Sequence, residues 1–554
     1  MSSAEDQALP EHAGFNLEPR VAKAFLTLSS GFWQGSTAQR AWLLTLGLAG
    51  SLVLSTYATV QLNHWNRWFF DALEKKDLAS VKSAVLVFFV IVAAMAAIGV
   101  AIVLTRETLQ VRWRAWLVER LLDTWLDKQR FYHMNASGKE PPNPEYRISD
   151  DTRWATEILV DLGIGLLSAV VGGLAFISIL WSVGGAYAGV PGYMVWLALA
   201  YGITASLLMA WVGKPLVGRV GQKNEAEGYF RFAMMRLRDN AETIALMKGG
   251  AAEKVTLARF YDGVVGRWLR IVKSHGHITW ITNASGPMIP IIPLLFAAPK
   301  YLAGELTLGQ VTQLAAAFVQ VQIAISWVVD NYNRIAEWYA SARRVMDIVD
   351  ASAAVDAEPV KGVASVLSLP RVDPKPGEWL HIVGDSGAGK TMVARALAEG
   401  KDGRRLMMLP QRIYVPLGSL RDVLAYPDPR RMTDNAAAAT ALSRAGLAHL
   451  APRLDEVARW DQVLSTGERQ RLGIARILLH RPEVAILDDA MTALDEPAQV
   501  ALAKALRTDL PGTAVISLAQ RPVSADVAQR QLRLERVGDA ASLHPTAAKT
   551  LEPV

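Results

Sequence analysis

The sequence predicts a polytopic α-helical membrane domain of six spans followed by an α/β P-loop NTPase domain. Six segments before residue 330 contain no Asp, Glu, Lys or Arg and are long and apolar enough to cross a bilayer. In the second half, an apolar run breaks into a glycine-rich loop that ends in Lys390 and Thr391, and a helical pattern follows. A length of 554 residues, a hydrophobic fraction of 51% and a mean hydropathy of +0.19 agree with several domains and a membrane location.

Composition excludes several classes of function. The formal net charge of +6 and the pI near 9.3 would suit nucleic acid binding. Lys and Arg also collect in the cytoplasmic loops of membrane proteins, however, and we predict no nucleic acid partner. Because the chain has no cysteine, disulfides, thiolate metal sites and cysteine nucleophiles are excluded. Residues 1–12 are acidic and lack an apolar core, so we expect no cleavable signal peptide.

Composition shifts also predict five segments. These are a cytoplasmic N-terminal segment at 1–40, the membrane domain at 41–330, a linker at 331–362, the nucleotide-binding domain at 363–540 and a disordered tail at 541–554. The predicted spans are 41–62, 83–105, 162–183, 192–212, 277–299 and 309–329. Before them, Val21, Phe25, Leu28 and Phe32 recur at helical spacing, which suits either a helix on the membrane surface or a soluble helix.

The positions of Lys and Arg predict the orientation. Most cations of the membrane half lie between spans two and three and between spans four and five. Because cations are retained on the cytoplasmic side, we predict that both termini are cytoplasmic and that these long, helical segments extend beyond the bilayer.

Two spans carry unusual residues. Pro287, Pro290 and Pro293 predict a kink or local opening in span five. Span six carries polar amides that would line a polar pathway or make ordinary bonds between helices: Gln310, Gln313 and Gln320.

The chemistry is predicted by two motifs. The loop at 384–391 offers backbone N–H groups to phosphates, with Lys390 placed for the β- and γ-phosphates and the Thr391 hydroxyl for Mg²⁺. Its other residues are Gly384, Asp385, Ser386, Gly387, Ala388 and Gly389. Farther on, a buried strand ends in Asp488 and Asp489, the natural place for a Mg²⁺ ligand and a base that orients water. Between them, Ser465 and Gly467 open a helix whose N-terminus can bind another phosphate.

Together these motifs resemble those of the ATP-binding-cassette transporters, whose exporters have six spans in each half. The Walker A loop, Q-loop, signature, Walker B strand and D-loop correspond to 384–391, Gln411, 465–470, 486–488 and 493–495. In that family each ATP lies between the Walker A loop of one copy and the signature of the other. The resemblance therefore implies a homodimeric half-transporter that uses ATP and Mg²⁺, with Ser465, Gly467 and Glu468 contacting nucleotide and Gln411 serving catalysis and metal binding.

The membrane half is similar to a narrower group, the SbmA/BacA-like and YddA-like transporters, with the peroxisomal acyl-CoA transporters as more distant relatives. The likeness rests on NHWNRWFFDAL at 63–73, APKYLAGE at 298–305 and shorter motifs at 113–117, 143–148 and 227–231. Members are associated with uptake of antimicrobial peptides, bleomycin and cobalamin. The resemblance implies a multi-pass protein of the bacterial inner membrane that takes up a peptide-like or cobalamin-like substrate.

Three departures bear on hydrolysis. Asp489 stands where the family usually has a glutamate, Gln520 stands at the position of the switch histidine, and no Tyr or Phe lies between Ser352 and Gly377 to stack on adenine. A carboxylate misplaced by about 1 Å can slow a reaction on the order of a hundredfold. We therefore predict a transporter that hydrolyses ATP slowly, with Asp489 and Gln520 as weak activators of water.

Two alternatives stay open. One is proton-driven transport with a regulatory nucleotide domain, although the predicted spans hold no Asp, Glu, Lys, Arg or His apart from His277, and Asp71, Glu74 and Asp161 lie only near span ends. The other is an ATP-dependent regulator or membrane scaffold without a transport path.

Overall fold

The computed structural model describes residues 18–187, 189–357, 374–399, 405–428, 434–524, 526–537 and 540–545. The chain divides into two units, Met1–Pro359 and Val360–Val554. Three segments discussed above lie outside the described residues. They are residues 1–12, most of the stretch from Ser352 to Gly377 that lacks Tyr and Phe, and residues 546–554 of the predicted tail.

The first unit is helical. Its helices are α1 Pro19–Ser30, α2 Ala38–Glu74, α3 Leu78–Leu126, α4 Arg130–Ala136, α5 Pro144–Tyr146, α6 Thr152–Gly184, α7 Tyr193–Asp239, α8 Ala241–Leu246, α9 Gly250–Ser285, α10 Met288–Leu302, α11 Leu308–Asp330 and α12 Tyr332–Ala357. A two-residue hairpin, β1 Ala186–Tyr187 with β2 Val190–Pro191, joins α6 to α7.

Six candidate membrane helices are present in the described part of the chain. They are Gly35–Glu74, Leu78–Ala136, Pro144–Gly184, Tyr193–Asp239, Gly250–Leu302 and Leu308–Ala357. Each predicted span falls on one of them. At 1.5 Å per residue, the 49 residues of α3 exceed a hydrocarbon core of about 30 Å by more than a factor of two. These helices therefore extend well beyond the apolar segments that identify them.

The fifth span is interrupted where its prolines predicted. Helix α9 ends at Ser285 and α10 begins at Met288, immediately after Pro287. The break leaves the Ser285 carbonyl without a helical donor, and the Tyr201 hydroxyl donates to it at 2.8 Å. A neighbouring span thus satisfies the backbone group that the break releases, as a membrane interior requires.

Two of the three span-six amides, Gln310 and Gln313, have partners within the protein. Gln313 is fully buried, its backbone carbonyl accepts from the Asn63 amide at 3.1 Å, and its own amide lies 3.3 Å from Nδ1 of His64. Gln310 forms a capping box with Thr307 at the start of α11. For these two residues the structure favours ordinary bonding over the wall of a pathway.

Helix α12 is held by a series of Arg–Asp pairs. Arg344 meets Asp151 at 2.6 Å, Arg334 meets Asp161 at 2.6 Å, and Arg130 meets Asp356 at 2.8 Å. A further pair joins Arg147 to Asp347. These pairs fix α12 to α4, to α6 and to the short π-helix Arg147–Asp151 that precedes α6.

The second unit is built on a six-stranded sheet. Its strands are β3 Trp379–Val383, β4 Leu406–Leu409, β7 Val484–Asp488, β8 Ala514–Ala519, β9 Arg530–Val537 and β10 Ala540–Pro545. Their order is β10-β9-β3-β8-β7-β4, parallel except for the β9–β10 hairpin. The hairpin β5 Gly418–Ser419 with β6 Val457–Ala458 lies apart from it.

Helices flank this sheet. They are α13 Lys390–Glu399, α14 Leu420–Ala425, α15 Asn435–Arg444, α16 Trp460–Val463, α17 Thr466–His480 and α18 Glu496–Asp509. β3 and β7 are buried along their whole length, because helices cover both faces of a parallel sheet. Their C-terminal ends therefore meet at one edge, where ligands bind in such folds.

The expected disorder at 541–554 does not hold for residues 541–545. Ala540–Pro545 pairs antiparallel with β9, with Leu543 opposite Leu534. The segment is ordered because its backbone groups complete the edge of the sheet, which the polar composition of the tail did not indicate.

Candidate nucleotide site

The phosphate loop leaves the C-terminal end of β3. Gly387 and Gly389 have φ angles of +83° and +94°, a conformation that favours glycine. Lys390 begins α13 and is 7% exposed, and its Nζ donates to the carbonyls of Gly384 at 2.8 Å and Asp385 at 2.9 Å. The ammonium thus lies against the loop that would close on a phosphate. Thr391 follows in the first turn with an exposed side chain.

The rest of the loop is open. Asp385, Ser386 and Gly387 are exposed, while Gly384 is buried. A Cβ on Gly384 would lie 3.3 Å from atoms of Leu534, a tight contact that would require β9 to shift slightly. Ala388 donates its N–H to the Asp385 carbonyl at 3.1 Å, and the loop is therefore a tight turn with outward-facing residues.

The two carboxylates end β7. Asp488 is 2% exposed, and among the described residues neither its Oδ1 nor that of Asp489 has a hydrogen-bond partner. Asp489 has a φ of +49°, and its N–H donates to the Leu518 carbonyl at 2.9 Å. Residues other than glycine rarely adopt this conformation, and such residues cluster at functional sites. The pair therefore has acceptor capacity that the protein itself does not use.

The electrostatics connect this pair with the loop. Burial raises the pKa of Asp489, the charge of Asp488 raises it further, and the charge of Lys390 opposes them. Asp489 therefore lies within electrostatic reach of both the second carboxylate and the loop lysine.

A cavity of about 910 Å³ brings three predicted residues together: Gln411, Asp489 and Gln520 are all in its wall. It lies beyond the C-terminal ends of β7 and β8 and has the size of pockets that hold small molecules. Lys390, Thr391, Ser465, Gly467 and Glu468 are not among the residues that line it. Neither the phosphate-loop lysine nor the signature residues therefore contribute to the wall of this cavity.

The signature opens α17. Ser465 is its N-cap and forms a capping box with Glu468, whose Oε2 accepts from the Ser465 N–H at 2.9 Å. These bonds to Ser465, and secondarily one to His449, lower the pKa of Glu468. Gly467 has space for a Cβ, since the nearest atom, of Leu494, would be 3.6 Å away. Gln470 accepts from the Ala493 N–H at 2.9 Å, which links the signature helix to the loop after Asp489.

Sequence reasoning missed a polar cluster on β3 and β8. Trp379, His381 and Ser517 bond to one another inside the unit, and His381 lies in the wall of the 910 Å³ cavity. The available signal was a single histidine within an otherwise apolar strand. Trp379 lies just after the stretch from Ser352 to Gly377 that lacks Tyr and Phe. It is 1% exposed, so its ring is not free to stack on adenine.

The donor set fits a magnesium ion. The Thr391 hydroxyl and the unpartnered oxygen of Asp488 are oxygen ligands of the kind Mg²⁺ prefers. No group of three or more acidic, His or Cys side chains that could hold a metal alone is found among the described residues. Phosphate oxygens would have to complete the coordination.

Comparisons with known proteins agree with this architecture. A family model described as ABC transporter transmembrane region 2 matches residues 33–301, and one described as ABC transporter matches residues 400–492. The chain is 25% identical to the inner membrane ABC transporter ATP-binding protein YddA of Escherichia coli, over 91% of this chain and 95% of the relative. It is also 25% identical to ABC transporter D family member 2, chloroplastic, of Arabidopsis thaliana, over 90% of this chain and 84% of the relative.

A solved structure has the same fold. A bacterial Atm1-family ABC exporter with ATP bound superposes with a TM-score of 0.70 at 18% identity, covering 89% of this chain and 94% of the exporter.

Proposed function

We infer that this chain, which is an ABC half-transporter with fused transmembrane and ATP-binding domains, works as a homodimer that binds two ATP molecules between its copies and hydrolyses them slowly. The observation that carries the proposal is the convergence of Gln411, Asp489 and Gln520 on one cavity, with Asp489 in electrostatic reach of Lys390. The half-transporter organisation, with one transmembrane region and one ATP-binding domain in the chain, supports the dimer.

Each group has a distinct role in this proposal. Lys390 and the backbone of residues 384–389 bind the phosphates, and the signature residues Ser465, Gly467 and Glu468 approach the nucleotide of the partner copy. Thr391, Asp488 and Gln411 would hold Mg²⁺, which neutralises charge on the phosphates when bound. Asp489 accepts the proton of the attacking water, and Gln520 orients that water or a phosphate oxygen.

In this proposal, hydrolysis is slow because Asp489 and Gln520 stand where the family usually has glutamate and histidine. Asp489 is one methylene shorter than glutamate, so its oxygen stands back from the water, and Gln520 cannot carry a proton as histidine can. The raised pKa of Asp489 makes it a stronger base when it is ionised but leaves a smaller ionised fraction at acid pH.

Asp489→Glu tests this account in purified full-length protein in lipid. We expect turnover to rise about tenfold while affinity for a fluorescent ATP analogue stays the same. Asp526→Glu, an exposed position outside the cavity, is the matched control. An unchanged or lower rate for Asp489→Glu would refute the weak-base explanation.

We further propose uptake of a peptide-like or cobalamin-like polar substrate across a bacterial inner membrane, with both termini cytoplasmic. The relatives YddA and the D family members support a transporter of this group. Substrate and direction are tested by measuring uptake of labelled cobalamin and of a proline-rich peptide into right-side-out membrane vesicles, with and without ATP enclosed. Equal uptake in both conditions would contradict ATP drive.

Proton-driven transport is the second candidate. The carboxylates near the span ends, which would have to carry the protons, do not favour it. Asp71 accepts from the Gly309 N–H at 3.0 Å, Glu74 from the Leu308 N–H at 3.0 Å, and Asp161 is paired with Arg334. All three therefore have structural partners. Transport that survives Lys390→Ala and disappears with the proton gradient would establish this alternative, and substrate-stimulated ATPase activity would dismiss a pure scaffold.

A further inference from the structure

His381 is a buried histidine that the proposed hydrolysis does not yet use. It is 1% exposed, at the centre of the strand that leads into the phosphate loop, and the parallel pairing places it directly beside Ser517 of β8. Two residues farther along, β8 ends at Ala519, and Gln520 follows. The histidine thus lies on the strand that leads into the phosphate loop, next to the strand that leads to the residue proposed to orient water.

The hydrogen bonds of this cluster define its protonation. The Trp379 indole N–H donates to Ser517 Oγ at 2.8 Å, and Ser517 Oγ lies 2.8 Å from His381 Nδ1. His381 Nε2 lies 3.0 Å from the carbonyl oxygen of Arg521. Because that carbonyl can only accept, Nε2 carries the hydrogen, and because the indole can only donate, the Ser517 hydroxyl donates to Nδ1. A neutral His381 therefore satisfies every group in the chain of bonds.

The electrostatic environment supports the neutral form. Burial lowers the pKa of His381, and the bond to the Arg521 carbonyl only partly offsets this effect. At neutral pH the side chain is thus an uncharged donor fixed at both ring nitrogens.

The bond to Arg521 controls a turn in the site. Arg521 is the residue immediately after Gln520, and His381, Gln520 and Arg521 all line the 910 Å³ cavity. Asp489 is tied to the same strand, since its N–H donates to the Leu518 carbonyl. Holding the Arg521 carbonyl from β3 therefore fixes the position of Gln520 relative to both Asp489 and the phosphate loop.

We propose that His381 is a positioning residue for ATP hydrolysis: its Nε2–H holds the Arg521 carbonyl and so presents Gln520 to the γ-phosphate. This inference rests on the proposed function, because it requires Gln520 to act on the nucleotide. His381 itself touches no reacting atom in this account. Its effect should therefore appear in the rate of hydrolysis and not in nucleotide affinity.

Two substitutions separate this role from simple packing. In His381→Gln the amide nitrogen can occupy the place of Nε2 and still donate to Arg521. In His381→Asn the amide reaches only the place of Nδ1, so the Ser517 contact is kept and the Arg521 contact is lost. In full-length protein in lipid, we expect kcat to fall about tenfold for His381→Asn and less than about threefold for His381→Gln, with the affinity for a fluorescent ATP analogue unchanged in both. Equal losses in both variants, accompanied by lower thermal stability, would reduce His381 to a packing role.

A double mutant tests whether the effect passes through Gln520. In a Gln520→Ala background, His381→Asn should cause no further loss of kcat, because the positioned group is already gone. Losses that multiply in the double mutant would overturn the proposal.

A readout that does not need hydrolysis distinguishes this inference from the proposed function. Hydrogen–deuterium exchange of the peptide covering residues 517–524, without nucleotide, should be faster in His381→Asn than in wild type and near wild type in His381→Gln. Exchange that is the same in all three proteins refutes the positioning role. If exchange behaves as expected and wild-type protein hydrolyses no ATP, the proposed function fails and the tether to Arg521 stands.

Discussion

The phosphate loop differs from the cavity wall that holds Gln411, Asp489 and Gln520 in how closely its residues match the ABC-transporter pattern. The loop has its positive-φ glycines, a buried lysine on two loop carbonyls and a helix N-terminus behind it. The wall has a shortened carboxylate in Asp489 and an amide in Gln520 where proton-handling groups are usual. Phosphate binding depends on the loop's N–H groups and charge, whereas hydrolysis also depends on where one carboxylate oxygen stands. We therefore expect substitutions in the loop and in the wall to change nucleotide binding and turnover separately.

The largest expected effect is on the loop. Lys390→Ala should lower turnover at least about 100-fold and also weaken ATP binding, because it removes the only cationic side chain of the loop at 384–391. The measurements are fluorescent nucleotide titration and phosphate release in lipid. Lys504→Ala, an exposed lysine on α18, is the control. Wild-type nucleotide affinity in Lys390→Ala would break the distinction between the two regions.

A smaller effect is expected from the loop backbone. Gly389→Ala places a Cβ at a φ of +94°, a strain of about 1–2 kcal/mol. The free loop of the variant can relax and must regain this conformation when ATP binds, so we expect about a tenfold loss of ATP affinity. Gly512→Ala is the matched control, since Gly512 is exposed, is not a positive-φ glycine, and has open space for a Cβ. Equal affinity in the two variants would mean that ATP binding does not require this backbone conformation to be regained.

How much the sequence could predict follows the same division. The six spans and the phosphate loop are contiguous patterns, so hydropathy and motif spacing located them. The Trp379–Ser517–His381 cluster joins residues as far as 138 positions apart and depends on the register of two parallel strands, which no local pattern specifies. The Asp151–Arg344 pair, with Asp151 fully buried, likewise required the packing of α12 against the start of α6. Sequence reasoning therefore predicted the contiguous motifs and missed the contacts that depend on strand register and helix packing.

The pH dependence of turnover tests Asp489 as the base. Burial and the charge of Asp488 raise the pKa of Asp489, so protonation removes this base at a higher pH than for an exposed aspartate. Turnover at saturating ATP should therefore fall as the pH decreases. Because the terminal phosphate of ATP also gains a proton at about pH 6, nucleotide affinity is measured at each pH to keep the protein saturated. A rate that rises as the pH decreases, with the protein still folded by circular dichroism, would contradict Asp489 as the base.

The smallest expected effect comes from restoring the switch residue. Gln520→His introduces a ring that can both accept and donate a proton, yet the carboxylate of Asp489 would still stand about one methylene short of the water. We therefore expect turnover to rise only about twofold, and we expect a larger gain when the same substitution is combined with Asp489→Glu. Steady-state phosphate release of the four proteins measures this coupling.

Because His381 already fixes the Arg521 carbonyl, the new ring should occupy the position now held by Gln520 without a change in the hydrogen–deuterium exchange of residues 517–524. A loss of turnover in Gln520→His would mean that the amide is matched to the short carboxylate, and that the wall is a coordinated arrangement for slow hydrolysis rather than two independent losses.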